Sequence, residues 1–228
     1  MTMNIDEKLA KVCEGFCIDG TYIGHELIQV GNVNKTYQVK VMLSDGKEKF
    51  FLVQNLNTYV FKNPVQVMDN IDKVTEHIRA KHPGETALHF HHTKDRKTYI
   101  ENGDDFWRMT NFIPSITYNV VNDLNVVRNA GRAFGRFQMD LSDFDSADLC
   151  ETIPNFHNTA KRYESLDASV ALDPCGKVAH VQEELEYLAS VRDMACELTR
   201  LWEQGKIPMR VTHNDTKIAI QIGKIVWA

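Results

Sequence analysis

The stretch Arg210-Val211-Thr212-His213-Asn214-Asp215-Thr216-Lys217 is where the chain's chemistry is most legible. A short apolar approach runs into His-x-Asp, and a lysine follows two places after the aspartate. Moving a phosphoryl group needs a carboxylate beside the acceptor hydroxyl, to orient it and take its proton. It also needs a cation to offset charge on the group in transit. Asp215 suits the first role and Lys217 the second, with His213 as a scaffold that fixes the loop backbone. Asn-Asp-Thr is also ordinary turn chemistry, so the tripeptide alone leaves a plain strand-to-turn exit open. The surrounding chain chooses between the two.

Of 228 residues, 43% are hydrophobic and 25% charged, which suits a globular protein with a sizeable core. The net charge of -5, with no basic run, argues against nucleic acid or an acidic membrane surface as partner. Any nucleotide it binds is then a small ligand. No apolar run reaches the roughly 18 residues of a membrane span. The polar, acidic N-terminus does not read as a signal peptide, and a cytoplasmic location is expected. Cys13, Cys17, Cys150, Cys175 and Cys196 have irregular spacing and no C-x-x-C pair, as expected of reduced thiols.

Leu9, Val12, Cys13 and Phe16 predict a short amphipathic helix over 5–16 that covers the next unit. That unit is β-rich, with strands over 26–30, 36–43 and 49–53 and a hairpin turn at Asp45-Gly46. Between the first two strands, Gly31 to Thr36 has small polar residues able to fold over phosphates, or equally to form a plain hairpin loop. Asn63 as N-cap and Pro64 at the first helical position open a helix over about 64–80, with a stripe of Val67, Ile71, Val74 and Ile78. His82-Pro83-Gly84 ends it. A strand over 87–92 and a hairpin, 97–101 with 106–113 around Asn102-Gly103, follow. The histidines at 89, 91 and 92 read as solvated strand residues rather than metal ligands. Beyond Pro114 the period becomes helical. Leu124, Val127, Gly131, Phe134, Phe137 and Leu141 trace a core face on which Gly131 and Gly135 admit a close neighbour. A shorter helix lies around 160–166, and a long one runs from Val178 to Leu201, ended by Gly205 and Pro208.

Strands interrupted by one helix, then a helical half, then His-x-Asp, is the order of a two-lobed, protein-kinase-like α+β fold. It predicts a β-rich nucleotide-binding lobe over 1–113 and a helical lobe over 114–228. Several blocks, in order, resemble the aminoglycoside phosphotransferase-like sugar kinases, and among them the N-acetylhexosamine 1-kinase group, sometimes labelled mucin desulfatases. They are GNVNKTYQV (31–39), LVQNLNTYVFKNPVQVMDNIDKVTEHI (52–78), FWRMTNFI (106–113), AGRAFGRFQ (130–138), ETIPNFHNTAKRYE (151–164) and IPMRVTHNDTK (207–217).

The resemblance implies that Asn32, Asn34 and Thr36 lie in the phosphate-covering loop, although family members commonly carry histidine where Asn32 stands. Gln54 falls where protein kinases place a phosphate-binding lysine and where the sugar-kinase group similarly shows glutamine, and Asn111, Phe112 and Ile113 form the hinge that meets adenine through backbone groups. Asp215 matches the catalytic base and Lys217 the phosphate-facing lysine. The implied reaction transfers the γ-phosphoryl group of ATP, with Mg2+, to the anomeric hydroxyl of an N-acetylhexosamine. Two features depart from the pattern. Ile220 stands where a metal-binding asparagine belongs, and residues 218–228 contain no carboxylate. The chain is therefore expected to be an incomplete, largely inactive product that exposes apolar helix faces and self-associates. Its Ile218, Ile220 and Ile222 suggest a strand after the loop. The alternatives are a non-catalytic kinase-like module that binds nucleotide or sugar, and a kinase for choline, homoserine or an aminoglycoside.

Overall fold

A computed structural model describes residues 3–29, 33–83, 88–114, 116–117, 121–213 and 221–222, with the backbone alone at 116–117 and 221–222. The chain divides into two compact units, Met1–Thr152 with Asp215–Ala228, and Ile153–Asn214. The change of sequence period near Pro114 thus marks the end of the main sheet, while the first compact unit continues to Thr152.

The first unit is built on a five-stranded antiparallel sheet in the order β1-β2-β3-β5-β4. The strands are β1 (Thr21–Ile28), β2 (Lys35–Met42), β3 (Glu48–Asn55), β4 (Ile100–Asn102) and β5 (Asp105–Asn111). Gly46 has φ +80 in the β2–β3 turn, and Gly103 has φ +62 between β4 and β5, positions where a Cβ would be strained. β1 begins five residues before the expected start. Its pairing with β2 slips between Tyr22 and Gly24, and that bulge breaks the alternation by which a strand is read.

Strand alternation sorts the side chains onto two faces. Tyr37, Val39, Val41, Phe51, Val53, Trp107 and Met109 form one face, and α1 (Ile5–Gly15) covers it with Leu9, Val12 and Cys13, joined by Phe16. Asn4 caps α1 in a reciprocal box with Glu7. Lys8 Nζ, 2.5 Å from Asp105 Oδ2, ties the helix to β5. Cys13 is buried in this core and its thiol is pushed up to about 12, chiefly by burial. Cys17 is exposed.

On the other face, Leu56, Leu88, Phe90, Tyr99 and Phe106 pack with Met68 of α2 (Pro64–Lys81). Asn63 caps α2 through Oδ1, which accepts from Gln66 N, and Pro64 is its first residue. The buried face is turned from the expected stripe: Met68 and Thr75 are fully buried, whereas Val67, Ile71, Val74 and Ile78 are half-buried. A threonine is tolerated there because its hydroxyl donates to the Ile71 carbonyl at 2.8 Å. The strand expected over 87–92 is not formed among its described residues. Phe90 makes a single bridge to Thr110, and His91 N donates to Met109 O. The neighbouring imidazoles answer to α2 instead, His92 to Asp72 at 3.2 Å and His89 to Glu76 at 3.5 Å. They are partly buried, not solvated.

α3 (Leu124–Asp140) corrects another expectation. Only the C-terminal end of its apolar stripe is core, with Phe137 and Leu141 buried, while Leu124 is 78% exposed. No described atom comes within 4 Å of a Cβ built at Gly131 or Gly135. Polar contacts hold this region to α2. Asn70 exchanges two hydrogen bonds with the Cys150 backbone, and Lys81 donates to Asp140 O. His82 lies 2.8 Å from Asp140 Oδ1. The short β6 (Ile116–Thr117) pairs antiparallel with β7 (Gln221–Ile222), so the tail strand expected from the isoleucine alternation is present at those two residues.

The second unit holds α4 (Thr159–Leu172), a 3₁₀ turn (Val178–His180) and α5 (Gln182–Glu203). α4 runs six residues beyond the expected end because Ser165 and Ser169 bond back to carbonyls four residues earlier and do not interrupt it. Asp173 ends it at φ +35 and accepts from Lys177 N and Val178 N. α4 and α5 meet at Tyr163, whose hydroxyl donates to Leu188 O at 2.8 Å while the Arg192 guanidinium covers its ring. Arg192 also forks onto Asp167. The long helix begins at Gln182 rather than Val178, and of its expected seam Met194 and Leu198 are 75% and 70% exposed. Gly205, at φ +67, ends α5 as expected, with Gly205 N bonding to Trp202 O and Lys206 N to Leu201 O.

Candidate nucleotide site

Two of the residues expected to face a nucleotide, Thr36 at the start of β2 and Gln54 near the end of β3, fall at one end of the sheet, while Asn111 closes β5 at the other. Thr36 stands opposite Gln54, and Gln54 opposite Arg108, so the three form a row across the sheet. All lie on the face away from α1, because Tyr37, Val53 and Met109, one residue along, belong to the α1 core. The row is joined by side chains. Arg108 Nε donates to Gln54 Oε1 at 2.9 Å, and Gln54 Nε2 donates to Thr36 Oγ1 at 3.0 Å. A guanidinium has donors only, so the atom facing it must be the amide oxygen, and this fixes the orientation of the carboxamide.

Arg108 itself was not anticipated as a site residue. It is 5% exposed, and burial lowers its pKa from 12.5 to about 10, which still leaves it charged at neutral pH. The Phe90 ring lies 5.4 Å from the guanidinium carbon. Among the described residues no carboxylate pairs with it. The signal available in the sequence was a single charge inside the apolar run Phe106 to Ile113, on a strand flanked by a glutamine-bearing one.

The other expected residues are placed as follows. Asn34 is half-buried and its Oδ1 accepts from Asn57 N at 3.0 Å, so it braces the segment after β3. Asn111 ends β5 with its Oδ1 3.1 Å from His91 Nε2. Phe112 N donates to Phe50 O at 3.2 Å and extends the ladder into the segment expected to form the hinge. Its N–H is therefore engaged, and any adenine contact falls to the other backbone groups of this segment. Ile113 is half-buried, as is His213 in the second unit. Asn32, Asp215, Lys217 and Ile220 lie outside the described residues.

Among the described residues no group of three His, Cys, Asp or Glu side chains could hold a metal. Ile220, at the position where the resemblance places a metal-binding asparagine, is not among them. An open depression of about 460 Å³ is lined by Lys11, Glu14, Lys94, Asp95, Lys97 and Glu101 among others, and includes none of the expected site residues. No helix among the described residues is long and apolar enough to cross a membrane.

An antiparallel sheet with α1 on one face and α2 on the other, followed by helices, is an α+β, kinase-like fold. Among solved structures it is similar to the crystal structure of spectinomycin phosphotransferase, APH(9)-Ia, in complex with ADP and spectinomycin. The TM-score is 0.51 at 10% sequence identity, covering 97% of this chain and 66% of that one. At that identity the likeness is one of fold. The chain spans about two thirds of the length of that protein, and no family model matches its sequence.

Proposed function

We propose that this chain carries the nucleotide site of an ATP-dependent phosphotransferase whose acceptor is the anomeric hydroxyl of an N-acetylhexosamine. The observation that carries the nucleotide part is the Thr36–Gln54–Arg108 row beside the hinge, in a fold shared with a protein solved with ADP. The acceptor rests on the resemblance of the sequence blocks. In the proposed reaction the acceptor oxygen bonds to the γ-phosphorus, the bond from that phosphorus to the β–γ bridging oxygen breaks, and ADP leaves. Asp215 orients the hydroxyl and takes its proton, and Lys217 faces the phosphoryl oxygens. A general base contributes about 10²- to 10⁴-fold, and the larger electrostatic part of such catalysis needs charge that Ile220 cannot help to hold. Turnover is therefore slow.

A second reading, a kinase-like module that binds nucleotide without transfer, is favoured by that same isoleucine. A product assay separates them. ATP is incubated with N-acetylglucosamine or N-acetylgalactosamine, and in parallel with choline, homoserine and spectinomycin. The proposal predicts sugar phosphate in preference to the other products, lost in Asp215→Asn. Nucleotide binding without any product supports the module. A preferred product from another acceptor overturns the sugar assignment, and no nucleotide binding overturns both readings.

A further inference from the structure

A buried cation without a counter-charge is costly, because desolvation is not offset by an ion pair. Arg108 is such a cation among the described residues. Of its five N–H donors, Nε is bonded to Gln54, and neither Nη nitrogen makes a described hydrogen bond or ion pair. Two residues along the same face, Thr110 is 4% exposed and its hydroxyl has no described partner. Gln54 sits between Arg108 and Thr36, half-buried, with one Nε2 hydrogen directed to Thr36 Oγ1 and the other not engaged by a described residue. Gln54 thus presents a neutral amide with the Arg108 guanidinium directly behind it.

We propose that Arg108 is a positioning residue for nucleotide phosphate, holding the Gln54 carboxamide with its amino group toward the phosphates and supplying the positive charge that glutamine lacks. The guanidinium polarises the amide through Oε1, and a polarised amide is a stronger donor at Nε2. The spacing agrees. Asn111, at the proposed hinge, lies three positions on from Arg108, about 10 Å along a strand, comparable with the reach of a nucleotide from base to phosphates. Lys40, the other cation that the described strands place on this face, is paired with Glu48 at 2.6 Å. The inference deepens the phosphotransferase reading and rests on it.

The test titrates the 228-residue chain with ADP and, separately, with adenosine. The native protein is expected to bind ADP more tightly than adenosine. Arg108→Met is expected to lose about 10- to 100-fold in ADP affinity, the size of one charge-assisted hydrogen bond, with adenosine affinity unchanged. Gln54→Glu gives the arginine a counter-ion and places a negative charge at the phosphates. It is expected to raise the melting temperature while abolishing the preference for ADP, and it serves even if Arg108→Met does not fold. A native chain that binds neither ligand defeats the phosphotransferase reading itself. A native chain that binds both equally, or either variant retaining native ADP affinity in folded protein, overturns the role of Arg108 alone.

Discussion

Replacing Arg108 by methionine distinguishes an arginine kept for the fold from one kept for a ligand. Holding the guanidinium charged when burial has taken its pKa from 12.5 to about 10 costs about 3 kcal/mol at 1.36 kcal/mol per pH unit. Against this stand the Nε bond to Gln54, about 1.5–3 kcal/mol for a charged donor, and the Phe90 ring contact, about 0.5–2 kcal/mol. Methionine removes cost and gains together and fills much of the same space, and water reaches the half-buried Gln54 oxygen left behind. The expected change in stability is therefore within about 1 kcal/mol, against about 2–5 kcal/mol for truncating a well-partnered core side chain. Urea unfolding should show the midpoint nearly unmoved with the slope unchanged. A loss of about 3 kcal/mol or more would refute this balance and show that Arg108 also serves the fold, leaving its ligand role to the Gln54→Glu titration.

Three further outcomes follow from the packing. Gly20→Ala should cost at least about 2 kcal/mol in thermal melts, because Gly20 has φ +120 and a Cβ there would lie 2.4 Å from the Met42 carbonyl oxygen, which is backbone and cannot yield. His91 has its pKa lowered from 6.5, first by burial and then by His89 and Lys49, against a raising contribution from Asn111. The unfolded chain therefore binds the proton more readily, and stability is lost as pH falls below 6.5. His91→Gln should reduce the loss of urea midpoint between about pH 7.5 and 5.5. Tyr163→Phe should destabilise the second unit by about 1 kcal/mol through loss of the bond to Leu188 O, without changing ADP affinity.

Local chemistry made some elements readable and tertiary context hid others. Asp45-Gly46 and Asn63-Pro64 act through their own φ requirement and capping oxygen, so the β2–β3 hairpin and the start of α2 stand where the sequence places them. The bulge in β1 and the single bridge at Phe90 depend on partners far along the chain, and nothing local announces them. The α3 stripe has a helical period, but period says only that a face is apolar. Whether it is covered depends on what packs there, and Leu124 is exposed. In the candidate site, the place of Gln54 on the third strand was legible, and it lies on β3. Arg108 acquired meaning only when β5 was set beside β3 in a register that placed its Nε on the Gln54 oxygen.

The most direct test of the nucleotide claim is calorimetric titration of the soluble, folded 228-residue chain with ADP up to millimolar concentration, alongside adenosine. Saturable heat with ADP, stronger than with adenosine, is the predicted result. No heat from either ligand in protein shown to be folded would contradict it.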